Sequence, residues 1–225
     1  MTKSFLQLED ERLADIVHAA SGDLRNAVVT LALIPSSFCQ PVKLVLNDKD
    51  FDIVARNVIM LLLVLTEHDP TKVAEGLIHL WYSAFIPPSL ITIMQEAVRP
   101  LVQTVCTKVE KKAPQTLLGK TWNFGSRSLR LVLTRDQWFS LLSYFEVPAG
   151  LTLERAKRNR LDITLAPQRV DYRDRRSFAQ RPGWRVGAQK YREDGILLPF
   201  GAPRASFSYL NPYITPLKPA CHILA

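Results

Sequence analysis

Residues 58–65 read VIMLLLVL, eight apolar side chains without a break. Just before them, Asp52, Arg56 and Asn57 confine polarity to the early turns of a segment running from Phe51 to Thr66. Asp50 stands where a helix N-cap would, so the segment predicts a helix over 51–66. A helix that is apolar all round after its first turns has no face to give to water and must be buried, with a sheet as the expected neighbour. The run is far too short to cross a bilayer, which needs roughly 20 such residues.

What precedes the helix says which kind of core it enters. "ADIVHAA" predicts a short buried strand, and Gly22 suits a tight turn after it. A helix then starts near Leu24, with Asp23 or Ser21 as its cap, and ends before Pro35. "VKLVL" (42–46), rich in β-branched and aliphatic residues, is the next strand, and Asn47–Asp50 is the turn behind it. Strand, helix, strand, helix in this order predicts a right-handed crossover and a parallel sheet. The expected fold class is therefore α/β, with a Rossmann-like parallel sheet in the first part.

A helical middle follows. Asp69-Pro70 has the form of an N-cap followed by proline at the first helical position, with Val73, Leu77, Leu80, Trp81, Ala84 and Phe85 on one face. Pro87-Pro88 ends that helix. Another spans roughly 88–109, where Pro100 should kink it or cut it at Arg99. "SLRLVL" (128–133) reads equally as strand or helix, and Thr134-x-x-Gln137 is a capping box that predicts a helix reaching toward Pro148. After Gly150 the pattern predicts one short helix at most (153–160), then turns and short strands, and from Ala202 an extended arm or loose tail. The expected organisation is a Rossmann-like domain with helical middle over 1–150, an irregular basic extension over 151–201 and a tail over 202–225.

The net charge of +8 is concentrated in one place. Between Arg155 and Arg192 there are twelve lysines and arginines against three acids, so the remainder of the chain is close to neutral. Arg158, Arg160, Arg173, Arg175, Arg176 and Arg185 are the candidate basic surface, interleaved with Tyr172, Phe178, Trp184 and Tyr191. Arginine among aromatics can hold a polyanion or nucleic acid by phosphate contact and stacking. It can equally be a solvated protein-binding surface. The three cysteines are scattered, with no CxxC pair, which argues against a zinc site and for reduced thiols. "MTKSFLQLEDERLADIV" carries charges where a signal peptide is apolar, and the expectation is a cytoplasmic or nuclear protein without a membrane anchor.

"AASGDLRNAVVTL", "VKLVLNDKDFDIVARNVIMLLLVL" and "YREDGILLPFGAP" together resemble an uncharacterised domain family of fungal proteins, often found beside a MYND zinc finger. The same family forms the front part of dynein axonemal assembly factor three proteins. The resemblance runs closely to about Leu90 and resumes after Gly119. It implies an assembly or protein-interaction role, although the MYND cysteine–histidine cluster has no counterpart here.

The first unit also resembles class I methyltransferases, which place a glycine-rich turn after the first strand and a ribose-binding acid at the end of the second. On that resemblance Ala20, Ser21, Gly22, Asp23 and Asp48 would bind S-adenosylmethionine. Gly22 is the only glycine of the turn, and Ala20 and Leu24 crowd the backbone approach a cofactor needs. The alternative is that Asp23, Asp48 and Asp50 only cap helices and fill turns. Asp48, Asp50 and Asp52 have the alternation of a calcium loop but lack its glycine and glutamate. No catalytic constellation stands out: His18 sits in the first strand, and neither a nucleophile elbow nor a P-loop is present. The preferred reading is a non-enzymatic interaction or assembly module with a protein partner, on a degenerate nucleotide-binding scaffold. An S-adenosylmethionine-dependent methyltransferase is the alternative, and polyanion binding through 155–192 the third.

Overall fold

The computed structural model describes residues 14–19, 22, 24–164 and 179–213. The chain divides into two compact units, residues 1–57 and 58–225, with the boundary inside one helix.

In the first unit, β1 (Ala14–Ala19) is followed by α1 (Arg25–Ala32) and β2 (Val42–Asn47). The strands pair in parallel, from Ala14 opposite Val42 to Ala19 opposite Asn47. Such pairing needs a crossover, and α1 with its flanking turns supplies it. This sheet has two strands among the described residues. Leu24 stands at the N-cap position of α1 in helical geometry and makes no side-chain capping bond. Of the caps expected there, Ser21 and Asp23 lie outside the described residues. α2 (Phe51–Thr66) has the predicted limits, and Asp50 Oδ1 accepts from the Asp52 amide to cap it.

The second unit is built around the far half of α2. Ile59, Met60, Leu62 and Leu63 are fully buried. α3 (Pro70–Tyr82) is capped by Asp69, whose carboxylate accepts from the Thr71 amide at 2.9 Å. A Cβ on Gly76 of α3 would meet Leu63 and Leu90 side chains at 3.1 Å, so here the buried helix meets other helices rather than a sheet. β3 (Phe85–Ile86) leads into α4 (Pro88–Ile93), a five-residue π turn (Met94–Val98) and α5 (Arg99–Val109). Pro100 neither cuts nor ends this run. Proline lacks an N–H and its ring would strike the carbonyl four residues back; widening the preceding turn moves that carbonyl aside. The Arg99 amide accordingly bonds Met94 O, five residues back.

The ambiguous segment at 128–133 belongs to a strand, β5 (Arg127–Thr134), in an antiparallel hairpin with β4 (Leu117–Phe124). Gly125, at φ +62°, supplies the left-handed turn between them. The Thr134–Gln137 capping box opens α6 (Arg135–Ser143). The helix stops short of Pro148 because the Tyr144 and Phe145 amides tighten onto Leu141 and Leu142 carbonyls, three residues back. Trp138 and Leu141 are fully buried. Trp138 Nε1 donates to Leu118 O, and its ring meets Trp122 edge-on at 5.9 Å.

Beyond Gly150 the chain is more regular than expected. α7 extends over Leu153–Thr164, and a further helix, α8 (Pro182–Asp194), stands where turns and short strands were predicted. Pro182 occupies its first turn, and Gly195, left-handed at φ 73°, closes it. Where an extended arm or loose tail from Ala202 was expected, the described residues 202–213 hold turns and a two-residue strand, and they are fastened. β6 (Tyr209–Leu210) pairs antiparallel with β3, and Asn211 and Tyr213 are buried. The Asn211 amide donates to the carbonyls of His79, Leu80 and Ser83, so one side chain closes the end of α3. Arg204 grips the Asp194 carboxylate with two nitrogens and also donates to Ile196 O. Residues 165–178 and 214–225, including Arg173, Arg175 and Arg176 and half of the expected tail, lie outside the described residues.

Candidate functional site

The turn after β1 is the place the sequence singles out, and three residues from three elements meet there. Gly22 is left-handed at φ +57°, a conformation that costs an L side chain about 1–2 kcal/mol, and no heavy atom stands within 4 Å of where its Cβ would be. The need for glycine is therefore conformational rather than steric. The Gly22 N–H donates to Asp48 Oδ2 at 2.8 Å, while the other carboxylate oxygen, Oδ1, accepts from the Asp50 amide at 3.0 Å. The Gly22 carbonyl in turn accepts from Asn57 Nδ2 at 2.7 Å. One glycine thus ties the turn after β1 to the turn after β2 and to α2.

Asp48 stands where a ribose-binding acid would, at the end of the second strand. Both of its oxygens, however, already hold backbone amides of its own unit. A carboxylate so used is a turn-building group, and each oxygen retains only part of its accepting capacity for a ligand. Ala20, Ser21 and Asp23, the other residues proposed for a cofactor, lie outside the described residues. Asn57 was not foreseen as part of this cluster. The signal was its position: an amide directly ahead of the apolar run, where burial obliges it to find a partner. Asn57 is 4% exposed, and its Oδ1 has no donor among the described residues. The described residues contain no group of His, Cys, Asp and Glu able to hold a metal ion, which leaves the Asp48–Asp50–Asp52 alternation as hydrogen-bonded turns. His18 lies in β1.

The second candidate surface lies on α7 and α8. Arg155, Lys157, Arg158, Arg181 and Arg185 are exposed, and Arg160 belongs to α7. Trp184 is 66% exposed on α8. Phe200, equally exposed, lies beside α8: a Cβ on Gly183 would meet its Cβ and ring at 3.8 Å. Phe200 lies beyond the basic stretch, and nothing in its local sequence marks it.

A buried polar cluster at the end of α3 has no counterpart in the sequence reading. The His79 Nδ1 and Ser83 Oγ atoms lie 3.0 Å apart, and Ser83 Oγ accepts from the Leu197 amide. Burial pushes the His79 imidazole below its ordinary value, against a smaller opposing pull from Glu75. The Phe207 ring packs edge-on against it at 4.7 Å. Buried beneath a ring and bonded to backbone, this pair closes a helix end rather than facing a substrate.

Residues 2–86 match the model of a family described as a domain of unknown function (DUF4470). No curated protein and no solved structure matches the chain. No helix among the described residues is long and apolar enough to cross a membrane. The matched span takes in β1, α1, β2, α2, α3 and β3, and therefore the whole Gly22–Asp48–Asn57 cluster.

Proposed function

We propose that this chain is a non-enzymatic protein-interaction or assembly module whose first unit descends from a Rossmann-like, nucleotide-binding scaffold. The observation that carries the reading is the Asp48 carboxylate, which spends one oxygen on Gly22 N–H and the other on Asp50 N–H. A ribose would have to compete with two backbone bonds that hold the turn itself. Support for an interaction role comes from α1, where Val28, Val29, Leu31 and, just past its end, Leu33 are exposed. Four apolar side chains so close together are a surface that a partner protein would cover. The partner is expected in the cytoplasm or nucleus.

The S-adenosylmethionine-dependent methyltransferase is the second reading, favoured by the open space over Gly22 and the unpartnered Asn57 Oδ1. Thermal melting with and without S-adenosylmethionine separates the two. A live site at one hundred times its dissociation constant would gain about 2.7 kcal/mol. The expected result is no shift, with Asp48→Ala and Gly22→Val each lowering stability by about 1–2 kcal/mol whether or not the compound is present. A shift with S-adenosylmethionine that Asp48→Ala abolishes would overturn the interaction-module reading.

A further inference from the structure

α8 makes 3.6 residues per turn, so each residue advances about 100° around its axis. Arg181, at its N-cap, and Arg185 and Arg192 therefore fall within about 40° of one another, and Trp184 flanks them on one side. On the side of Trp184 away from the arginines, residues 198–200 run along Gly183 and Gly187, which brings Phe200 to the helix surface. The segment lies in ordinary van der Waals range of the helix: a Cβ at Gly187 would lie 3.7 Å from Leu198 O. The result is one surface carrying two aromatic rings, Trp184 and Phe200, each two-thirds exposed, beside a row of arginines.

Such an arrangement is costly unless it has a use. A large aromatic side chain left in water forgoes about 1.5–3 kcal/mol of burial, and two stand together here. The acids of α8 are engaged elsewhere: Asp194 is held by Arg204, and Glu193 by Lys190 and Gln189. Neither Arg181 nor Arg185 has an ion pair among the described residues. α7, which packs against α8, adds exposed Arg155, Lys157 and Arg158. Duplex DNA would use the cations but leave the rings idle, because its bases are stacked on one another. A strand with unpaired bases uses both, placing bases on the rings and phosphates on the guanidinium groups.

We propose that the α8 face, with Trp184 and Phe200 as stacking platforms and Arg181, Arg185 and Arg192 as phosphate contacts, binds single-stranded nucleic acid. This site shares no residue with the Gly22 turn and is independent of the reading given to it. Three phosphate contacts give a log affinity against log salt slope of about −2 on a single strand.

The test is fluorescence anisotropy of the full chain with a labelled oligouridylate of about 16 nucleotides, over a salt series. Trp184→Ala and Phe200→Ala should each weaken binding by about tenfold at unchanged salt slope, while Trp184→Phe retains most of it. Arg181→Ala and Arg185→Ala should each reduce the slope by about 0.7. Unchanged melting curves for these exposed positions would establish that the variants fold. Two results would overturn the proposal. One is no binding at low salt. The other is competition by polyglutamate as strong as by oligouridylate, with no loss in Trp184→Ala, which would make the face a site for acidic protein segments.

Discussion

Asn211→Ala, just past β6, should be strongly destabilising, although it removes only a small polar group. The side chain is fully buried. Its two amide hydrogens serve the carbonyls of His79, Leu80 and Ser83 at 2.8–3.2 Å, and its Oδ1 accepts from the Tyr213 amide at 3.0 Å. Two donated hydrogens and one accepted bond, at a net value of about 1 kcal/mol each, amount to about 3 kcal/mol. In a chain of this size each kcal/mol moves the melting temperature by about 2–4 °C, so a fall of roughly 6–12 °C is expected by calorimetry or circular dichroism. Asn211→Asp should be at least as harmful, because it trades the two donors for a carboxylate facing carbonyl oxygens. Tyr209→Ala, half exposed on the adjoining strand β6, is the control and should cost far less. A loss under about 2 °C for Asn211→Ala would refute the reasoning, since it would mean that those carbonyls find water or other donors without the strand.

Leu62→Asp, at a fully buried position of α2, should bury an unpaired charge and abolish the cooperative thermal transition; a soluble, cooperatively melting variant would count against the buried helix. His79 gives a pH signature. Its folded-state value lies below the ordinary 6.5, so the unfolded chain binds the proton first. The stability that neutral His79 contributes is complete above about pH 6.5 and is lost as pH falls through the folded value. The melting temperature should therefore decline on acidification from that point, and His79→Gln should flatten the decline.

Where a signal was local, the sequence was readable. Asp69-Pro70 and Thr134-x-x-Gln137 set helix starts through side chains that reach only two or three residues, and both caps are present in the structure. The limits of α2 followed from Asp50 and from an apolar run that no exposed helix tolerates. β4 was missed because Lys120 interrupts the otherwise apolar less-exposed positions Leu118, Trp122 and Phe124 of "LLGKTWNF", and Thr121 is its one β-branched residue. The Gly125-Ser126 pair between two strands was nevertheless a hairpin signal in plain view. α8 was hidden by its composition, for a run of arginine, glutamine and glycine has no apolar stripe; its buried residues include none of its own side chains. Pro182 and Gly195 marked its ends all the same. The candidate site was half legible. Gly22 and Asp48 stand out from their positions, but the hydrogen bonds that join Gly22 to Asp48 and to Asn57 span 26 and 35 residues, which no local pattern encodes. Asn211 reaching back 128 residues to Ser83 is the same difficulty in its strongest form.

That reach has a consequence for how the molecule is made. A ribosome working at about 5–20 residues per second needs roughly 6–25 seconds to travel the 128 positions from Ser83 to Asn211. Throughout that interval the end of α3 and the pair Phe85–Ile86 have emerged without the strand that covers them. The nascent chain carries an open strand edge and, in the far half of α2, an apolar helical stretch at the same time, the two features that invite off-pathway association. Helper proteins would have this window in which to act, and codon choice between residues 90 and 210 would set its width. A polypeptide released before Asn211 would keep the edge open for its lifetime.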